Sequence, residues 1–134
     1  MQAVGEYFSK KIKISLPRKT FKERYSFQKR YDEAVSIMRK YPDRVPIICE
    51  KIGDDTSVPD IDRKKYLVPN DLGIAQFMYV IRKRMKLSSE KSIYLFIDGS
   101  VMPPTSCLIH DLYDKYKDDD GFLYISYSGE NTFG

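Results

Sequence analysis

Cys107, His110 and Asp111 are the closest grouping of a nucleophile, a base and an acid in this 134-residue chain, and His110 is its single histidine. Cys107 and His110 would share a helical face at i, i+3, which raises cysteine-hydrolase chemistry. Nucleophile and base usually meet from different elements, however, and here all three crowd into the first turns of one expected helix. No oxyanion loop accompanies them, so the group reads as a packed thiol beside a solvent-facing histidine. A second candidate is calcium ligation at Asp118-Asp119-Asp120-Gly121. Counting from Gly121 puts Tyr116 at the first ligand position and Tyr127 at the last, so the loop spacing fails. Neither a phosphate-binding glycine loop nor Cys/His zinc spacing is present, and no metal or cofactor is called for. The chain reads as a non-enzyme.

The remaining chemistry is at the C-terminus. Phe122 to Tyr127 alternates Leu123, Ile125 and Tyr127 against Phe122, Tyr124 and Ser126, which is the pattern of a strand. Ser128 to Gly134 then carries two glycines and small polar residues, and is expected to leave the body as a mobile tail ending in a free carboxylate. A core strand running into such a tail suggests a module that uses its own C-terminus.

Composition limits the partners. A chain of this length forms one domain and buries roughly two-thirds of its unfolded surface. Cys49 and Cys107 fall on separate elements in apolar surroundings and are read as reduced buried thiols in a cytosolic protein. No apolar run reaches the ~18 residues of a membrane helix, and the N-terminus lacks a signal-peptide core. Net charge is +4, yet residues 1–30 hold nine Lys/Arg against two Glu, a balance of +7 that leaves −3 for the rest. The basicity belongs to an N-terminal arm, which points to an acidic protein surface or anionic lipid rather than to nucleic acid.

The elements that must position these features follow in order. Residues 1–19 show no sustained period and form a largely flexible basic arm. Thr20-Phe21-Lys22-Glu23 matches a capping box, so a short helix starts there. A second helix carries Phe27, Tyr31, Ala34, Val35, Met38 and Tyr41 on one stripe and ends before Pro42. Strand one spans Arg44 to Ile52, strand two Lys64 to Val68, closed by Pro69. Asn70 is the expected N-cap of a helix from Asp71 to Met85. Ile93 to Ile97 is a third strand, Asp98-Gly99 a turn, Ser100 to Met102 a short fourth strand, and Thr105 the cap of a last helix before the terminal strand. The pattern is α+β, a mixed sheet with the long helix across one face. The domain boundaries are residues 1–19 for the arm, 20–127 for the domain and 128–134 for the tail.

Strand two draws attention as a binding surface. As an edge strand, Lys64-Lys-Tyr-Leu-Val68 exposes unpaired backbone groups. Its lysines would either blunt aggregation or select an acidic extended peptide that pairs as an added strand.

Five stretches in order carry a family resemblance: Tyr41-Pro-Asp-Arg-Val-Pro-Ile-Ile-Cys-Glu-Lys51, Asp62-Arg-Lys-Lys-Tyr-Leu-Val-Pro69, Phe77 through Arg82-Lys-Arg84, Pro103-Pro-Thr-Ser106, and Asp119-Asp-Gly-Phe-Leu-Tyr-Ile-Ser-Tyr-Ser128 with Gly134 beyond it. Together they are similar to the ubiquitin-like autophagy modifiers of the GABARAP and light-chain-three family. Lys19 to Arg24 resembles the light-chain-three type, whereas residues 33–51 and Pro103-Pro104 resemble the GABARAP type. The resemblance implies a ubiquitin-like β-grasp fold with two additional N-terminal helices. It implies that Gly134 passes through thioesters on E1-like and E2-like enzymes to an amide with phosphatidylethanolamine, with a cysteine protease for processing and deconjugation. The protein would be cytoplasmic when free and on the autophagosome membrane when lipidated. It further implies receptors bearing an aromatic-x-x-aliphatic motif. Their aromatic pocket would comprise Glu33, Ile37, Pro46, Ile48, Lys65, Leu67 and Phe122, and their aliphatic pocket Tyr66, Val68, Pro69, Leu72, Phe77 and Val80. Arg44 and Arg84 would meet polar parts of the motif. The alternative function is an unconjugated adaptor or cytoskeletal linker whose arm binds acidic tubulin tails or anionic membrane.

Overall fold

The computed structural model describes residues 19–53 and 55–130, so the arm over residues 1–18 and the tail end with Gly134 lie outside the described residues. The first element, α1 (Phe21–Arg24), opens with the expected reciprocal cap: the Glu23 N–H donates to Thr20 Oγ1 at 3.2 Å and the Thr20 N–H to Glu23 Oε1 at 2.8 Å. A four-residue helix cannot hold itself. It is pinned by the Phe21 ring, buried in the core, and by the Phe21 N–H donating to the Glu50 carboxylate at 2.9 Å.

The second helix, α2 (Phe27–Lys40), starts at Ser26, whose Oγ accepts from the Lys29 N–H at 3.3 Å, and stops at Tyr41 ahead of Pro42. Its buried residues are Arg30 and Ala34, while Phe27, Tyr31 and Tyr41 of the expected apolar stripe are exposed. Phe27 and Tyr31 stack on the outside with ring centroids 6.0 Å apart. The helix turns a guanidinium inward because a carboxylate waits for it: Arg30 is ion-paired to Asp120, which has no exposed surface.

Four strands, β1 (Arg44–Lys51), β2 (Lys65–Pro69), β3 (Tyr94–Ile97) and β4 (Leu123–Ser128), form a mixed sheet in the order β2-β1-β4-β3. β1 and β4 run parallel in the middle, Ile47 opposite Leu123 through Lys51 opposite Tyr127, and both outer pairs are antiparallel. A central parallel pair needs cover on both faces. On one face Val45, Ile47, Cys49, Leu123, Ile125 and Tyr127 form a single cluster with Ile74, Phe77, Ile81 and Met85 of α3 (Ile74–Met85) and Ile109, Leu112 and Tyr113 of α4 (Ile109–Tyr116). On the other, Ile48 and Phe122 pack with Phe21 and Ala34. The alternation read in the terminal strand therefore sorts its residues onto two different helical layers.

Strand ends differ from expectation by one residue, β2 running Lys65–Pro69 with Pro69 paired to Arg44, β1 ending at Lys51 and β3 beginning at Tyr94, and three features differ more. Asn70 and Asp71 form a turn and the N-cap of α3 is Gly73, whose N–H donates to Gln76 Oε1 at 2.8 Å. The N-cap position of the last helix is Leu108, not Thr105. Both shifts have one cause: the two helix entrances pair with each other, the Ile74 N–H donating to Cys107 O (2.9 Å), the Ile109 N–H to Leu72 O (2.8 Å) and the His110 N–H to Asn70 O (3.1 Å). These tertiary bonds outweigh the local caps. The expected fourth strand shrinks to a bridge between Ile97 and Val101 around Asp98-Gly99, because Pro103-Pro104 cannot continue a ladder.

Asp120 is the joint of the assembly. Its carboxylate accepts from Arg30, from Tyr124 Oη at 2.6 Å and from the Phe122 N–H at 2.8 Å, and neighbouring Asp118 is ion-paired with Lys22 of α1. Removing one partner of a buried ion pair leaves the other charge without compensation. Asp120→Ala should lower unfolding stability by about 3–5 kcal/mol in urea titration; a loss below ~1 kcal/mol would show that the network is incidental to the fold.

Candidate functional site

β2 is an edge strand, as its sequence suggests: it pairs with β1 from Arg44 opposite Pro69 to Ile48 opposite Lys65, and no strand among the described residues lies beyond it. Its middle residues Tyr66, Leu67 and Val68 are half-buried, and its ends Lys65 and Pro69 are exposed. The backbone donors and acceptors on the free side are thus accessible along a partly apolar surface.

The aromatic-pocket candidates divide into a closed floor and an open rim. Pro46, Ile48 and Phe122 are buried. Phe122 meets Phe21 edge-on at 5.5 Å, and Ile37 packs against the same cluster, so α1 and α2 lie directly over this floor. At the rim, Glu33 and Lys65 form an ion pair at 2.8 Å, with Leu67 half-buried nearby in the strand. Beside this rim is a recess of about 460 Å³ lined by Phe21, Arg24, Tyr25, Asp62, Arg63, Lys64 and Lys65. The Lys65 ammonium stands 5.4 Å from the Phe21 ring and 5.9 Å from that of Tyr25. Among the described lining residues cations outnumber carboxylates, which favours an acidic visitor.

Among the aliphatic-pocket candidates, Tyr66, Val68 and Leu72 are half-buried against the main core, Phe77 is fully inside, and Pro69 and Val80 are exposed. Tyr66 and Phe77 meet edge-on at 5.5 Å. The Tyr66 hydroxyl is buried with no hydrogen-bond partner, and burial pushes the phenol up to about 12. Arg84 is not idle: its guanidinium forks onto Asp62, both bonds 3.1 Å. The Arg44 guanidinium lies 5.8 Å from the Tyr41 ring centroid.

The root of the tail forms a second locus. Asp55 Oδ2 accepts from Ser128 Oγ at 2.7 Å and from the Gly129 N–H at 2.9 Å, while its Oδ1 accepts from the Ser57 N–H at 2.8 Å and from the Ser57 hydroxyl. Gly129 passes so close to Ser57 and Val58 that a Cβ would overlap both. The Ser57 hydroxyl first, then Ser128 and the two N–H groups, hold the Asp55 carboxyl far below the usual carboxylate range. Asp55-Thr-Ser57 is legible in sequence as a local turn. Its grip on Ser128, 73 positions away, is not, and neither are the contributions of Arg24, Tyr25 and Arg63 to the recess.

Of the residues first considered for catalysis, His110 is exposed, 3.3 Å from Asp114, and Cys107 is half-buried with its carbonyl accepting from Ile74. Cys49 is fully buried, which pushes its thiol up. No cluster of three or more potential metal ligands occurs among the described residues.

A family model described as autophagy protein Atg8, ubiquitin like, matches residues 29–134. The chain belongs to the Atg8 family. It is 59% identical over 117 residues to autophagy-related protein 8 of Mycosarcoma maydis, covering 87% of this chain and 98% of that protein. The Schizosaccharomyces pombe counterpart is 57% identical over the same length, with 87% and 95% covered. A crystal structure of Trypanosoma brucei ATG8 aligns with a TM-score of 0.77 at 42% identity, covering 87% of this chain and 99% of that one. The four-stranded mixed sheet with its helices is thus the ubiquitin-like Atg8 fold, a β-grasp preceded by two helices. These relatives carry the Atg8 name and do not divide the chain between the GABARAP and light-chain-three types.

The tail root should loosen in acid. A carboxylate with a depressed folded-state pKa contributes stability in full above the unfolded value near 4, and loses it as pH falls below that value. The amide of Gly129 should therefore be protected from hydrogen exchange at neutral pH and lose that protection in Asp55→Ala, while the Leu123–Tyr127 amides keep theirs. Equal protection of Gly129 in both proteins would contradict the clamp.

Proposed function

We propose that this protein is a ubiquitin-like modifier joined through Gly134 to phosphatidylethanolamine on autophagosomal membranes, where it recruits receptors along β2. The carrying observation is the free apolar edge of β2 in a chain whose family is Atg8. An extended aromatic-x-x-aliphatic segment adds as a fifth strand, its backbone completing the exposed ladder and its two large side chains entering on either side of the strand. The aromatic side chain reaches Ile48 and Phe122 only when Phe21, which packs on that floor, gives way, and it passes the Glu33–Lys65 pair at the rim. Acidic neighbours of the motif then pair with Lys65 and the cations beside it. On the other side, Tyr66, Val68, Leu72 and Val80 receive the aliphatic residue, and Arg84 exchanges Asp62 for the peptide.

Gly134 acts as a substrate. Its carboxyl carbon is carried as a thioester on the E1-like and then the E2-like enzyme. The phosphatidylethanolamine amine attacks, the amide forms and the thiolate leaves. A residue without a side chain on a tail suits narrow enzyme channels, and a two-chain lipid gives firm anchoring where one chain gives marginal binding. A cysteine protease trims or releases the conjugate. The protein itself supplies no catalytic group, is cytoplasmic when free, and joins the autophagosome when lipidated.

The +7 balance of residues 1–30 favours a second reading, a linker that binds acidic tubulin tails or anionic membrane through its arm. Deleting Gly134 separates the two. Lipid attachment in a reconstituted E1/E2 reaction with ATP and phosphatidylethanolamine liposomes should disappear, whereas binding by the arm should persist and decay steeply with salt. A deletion variant that still gained lipid would sink the first reading. For the groove, Lys65→Glu with Leu67→Ala should weaken an acidic aromatic-x-x-aliphatic peptide at least tenfold by calorimetry, about 1.4 kcal/mol; unchanged affinity would place receptor binding elsewhere.

A further inference from the structure

A large concavity of about 800 Å³ lies away from β2, where the end of α3 meets the start of β3. Its lining includes Arg82, Lys83, Lys86 and Lys91, the hydroxyl residues Ser89 and Ser92 and, among the described residues, no carboxylate. Lys83, Lys86 and Lys91 have no carboxylate partner among the described residues, and Arg82 donates only to the Ser88 carbonyl, at 2.9 Å. Cations near a helix C-terminus are ordinary, because they answer a dipole worth roughly half a charge. Four around one hollow exceed that need, and Lys91 lies outside the helix. Lys86 also closes α3 in the left-handed region, at φ 56°, a position where glycine is the usual choice. Glycine in place of Lys86 would relieve the backbone there.

The concavity adjoins the tail root. Tyr94, which lines it, is the β-partner of Ser128, and Asp55 holds Ser128 and Gly129 in place. Partner Cα atoms in such a pair lie about 5 Å apart. The five residues that follow Gly129, through Gly134, span at most roughly 18 Å when fully extended. A lipid carried on Gly134 therefore keeps this face within reach of the bilayer surface.

We propose that this basic concavity binds the phosphate groups of anionic lipid headgroups in the membrane that carries the chain, so that the domain sits on the bilayer with β2 left free. The inference rests on the lipid-conjugation reading for its geometry. Its test uses the unconjugated full chain, so failure of lipid attachment to Gly134 leaves the measurement intact. One triple variant is Lys83→Gln, Lys86→Gly, Lys91→Gln. Its control, Lys29→Gln, Lys40→Gln, Lys115→Gln, removes the same charge elsewhere and retains the basic arm. On phosphatidylcholine vesicles containing phosphatidylserine, the concavity variant should bind at least tenfold more weakly than the control, with each surface cation making its usual contribution. On vesicles of phosphatidylcholine alone the two should not differ. Lys86→Gly by itself should melt no lower than the unmodified protein, since glycine relieves the left-handed position, and should still bind anionic vesicles less well. Equal losses in both triple variants would reduce the effect to diffuse charge and overturn the proposal. It also falls if a soluble glycerophosphoinositol phosphate binds the concavity more tightly than the vesicles do, or if a poly-glutamate peptide distinguishes the two variants more sharply than the vesicles.

Discussion

Asp120 has no exposed surface and sits one turn before the central strand β4, so everything that keeps its charge comfortable must come from the protein. Arg30 arrives from α2, the hydroxyl of Tyr124 and the N–H of Phe122 from the start of β4, and Asp118 alongside draws in Lys22 from α1. A buried ion pair is seldom a net gain over apolar packing, but it is strict about geometry. It accepts one placement of the N-terminal helices on the sheet. The two helices that cover Ile48 and Phe122 are therefore registered by the neighbouring carboxylates of Asp118 and Asp120, and the face along β2 inherits its shape from that joint.

The same placement closes the floor of the aromatic-pocket candidates and leaves their rim open. Phe21 lies edge-on to Phe122, and Lys65 bridges toward Glu33 while lying close to the rings of Phe21 and Tyr25. Under the proposed function, a visiting ring would exchange one set of aromatic and ionic contacts for another. The aliphatic side differs: Val80 and Pro69 are already exposed and Tyr66, Val68 and Leu72 are half open. Such asymmetry would make the aliphatic side the first to engage and the aromatic side the more selective one.

How much of this was legible in the sequence depended on the range of the interaction. The capping box at Thr20, the alternation of Leu123 to Tyr127 and the edge character of Lys64 to Val68 are local or periodic signals, and each has its counterpart in the structure, the edge strand shifted by one residue. Asn70 and Thr105 are equally good local caps that lose to backbone bonds between segments some 35 residues apart, which no window along the chain contains. The inward turn of Arg30 and the outward placement of Phe27 and Tyr31 fail the apolar-stripe rule for a similar reason, since Asp120 decides them from 90 positions away. The groove residues could be named only through family resemblance, and the buried state of Phe122 needed the packing of α1.

The central position of β4 has a further meaning. β1 is formed early in the chain and finds its parallel neighbour only at residues 123–128, and β3 also pairs with that strand. Until those residues are available, β1 has only the edge strand β2 beside it and the two helical layers have no common sheet to close upon. Contacts of such long sequence separation make loop closure the slow step of folding. The order of events during synthesis follows: the body of the domain is committed to its fold only when the stretch leading directly into the tail has been made, so a chain that offers its tail with β4 in place is already a folded one.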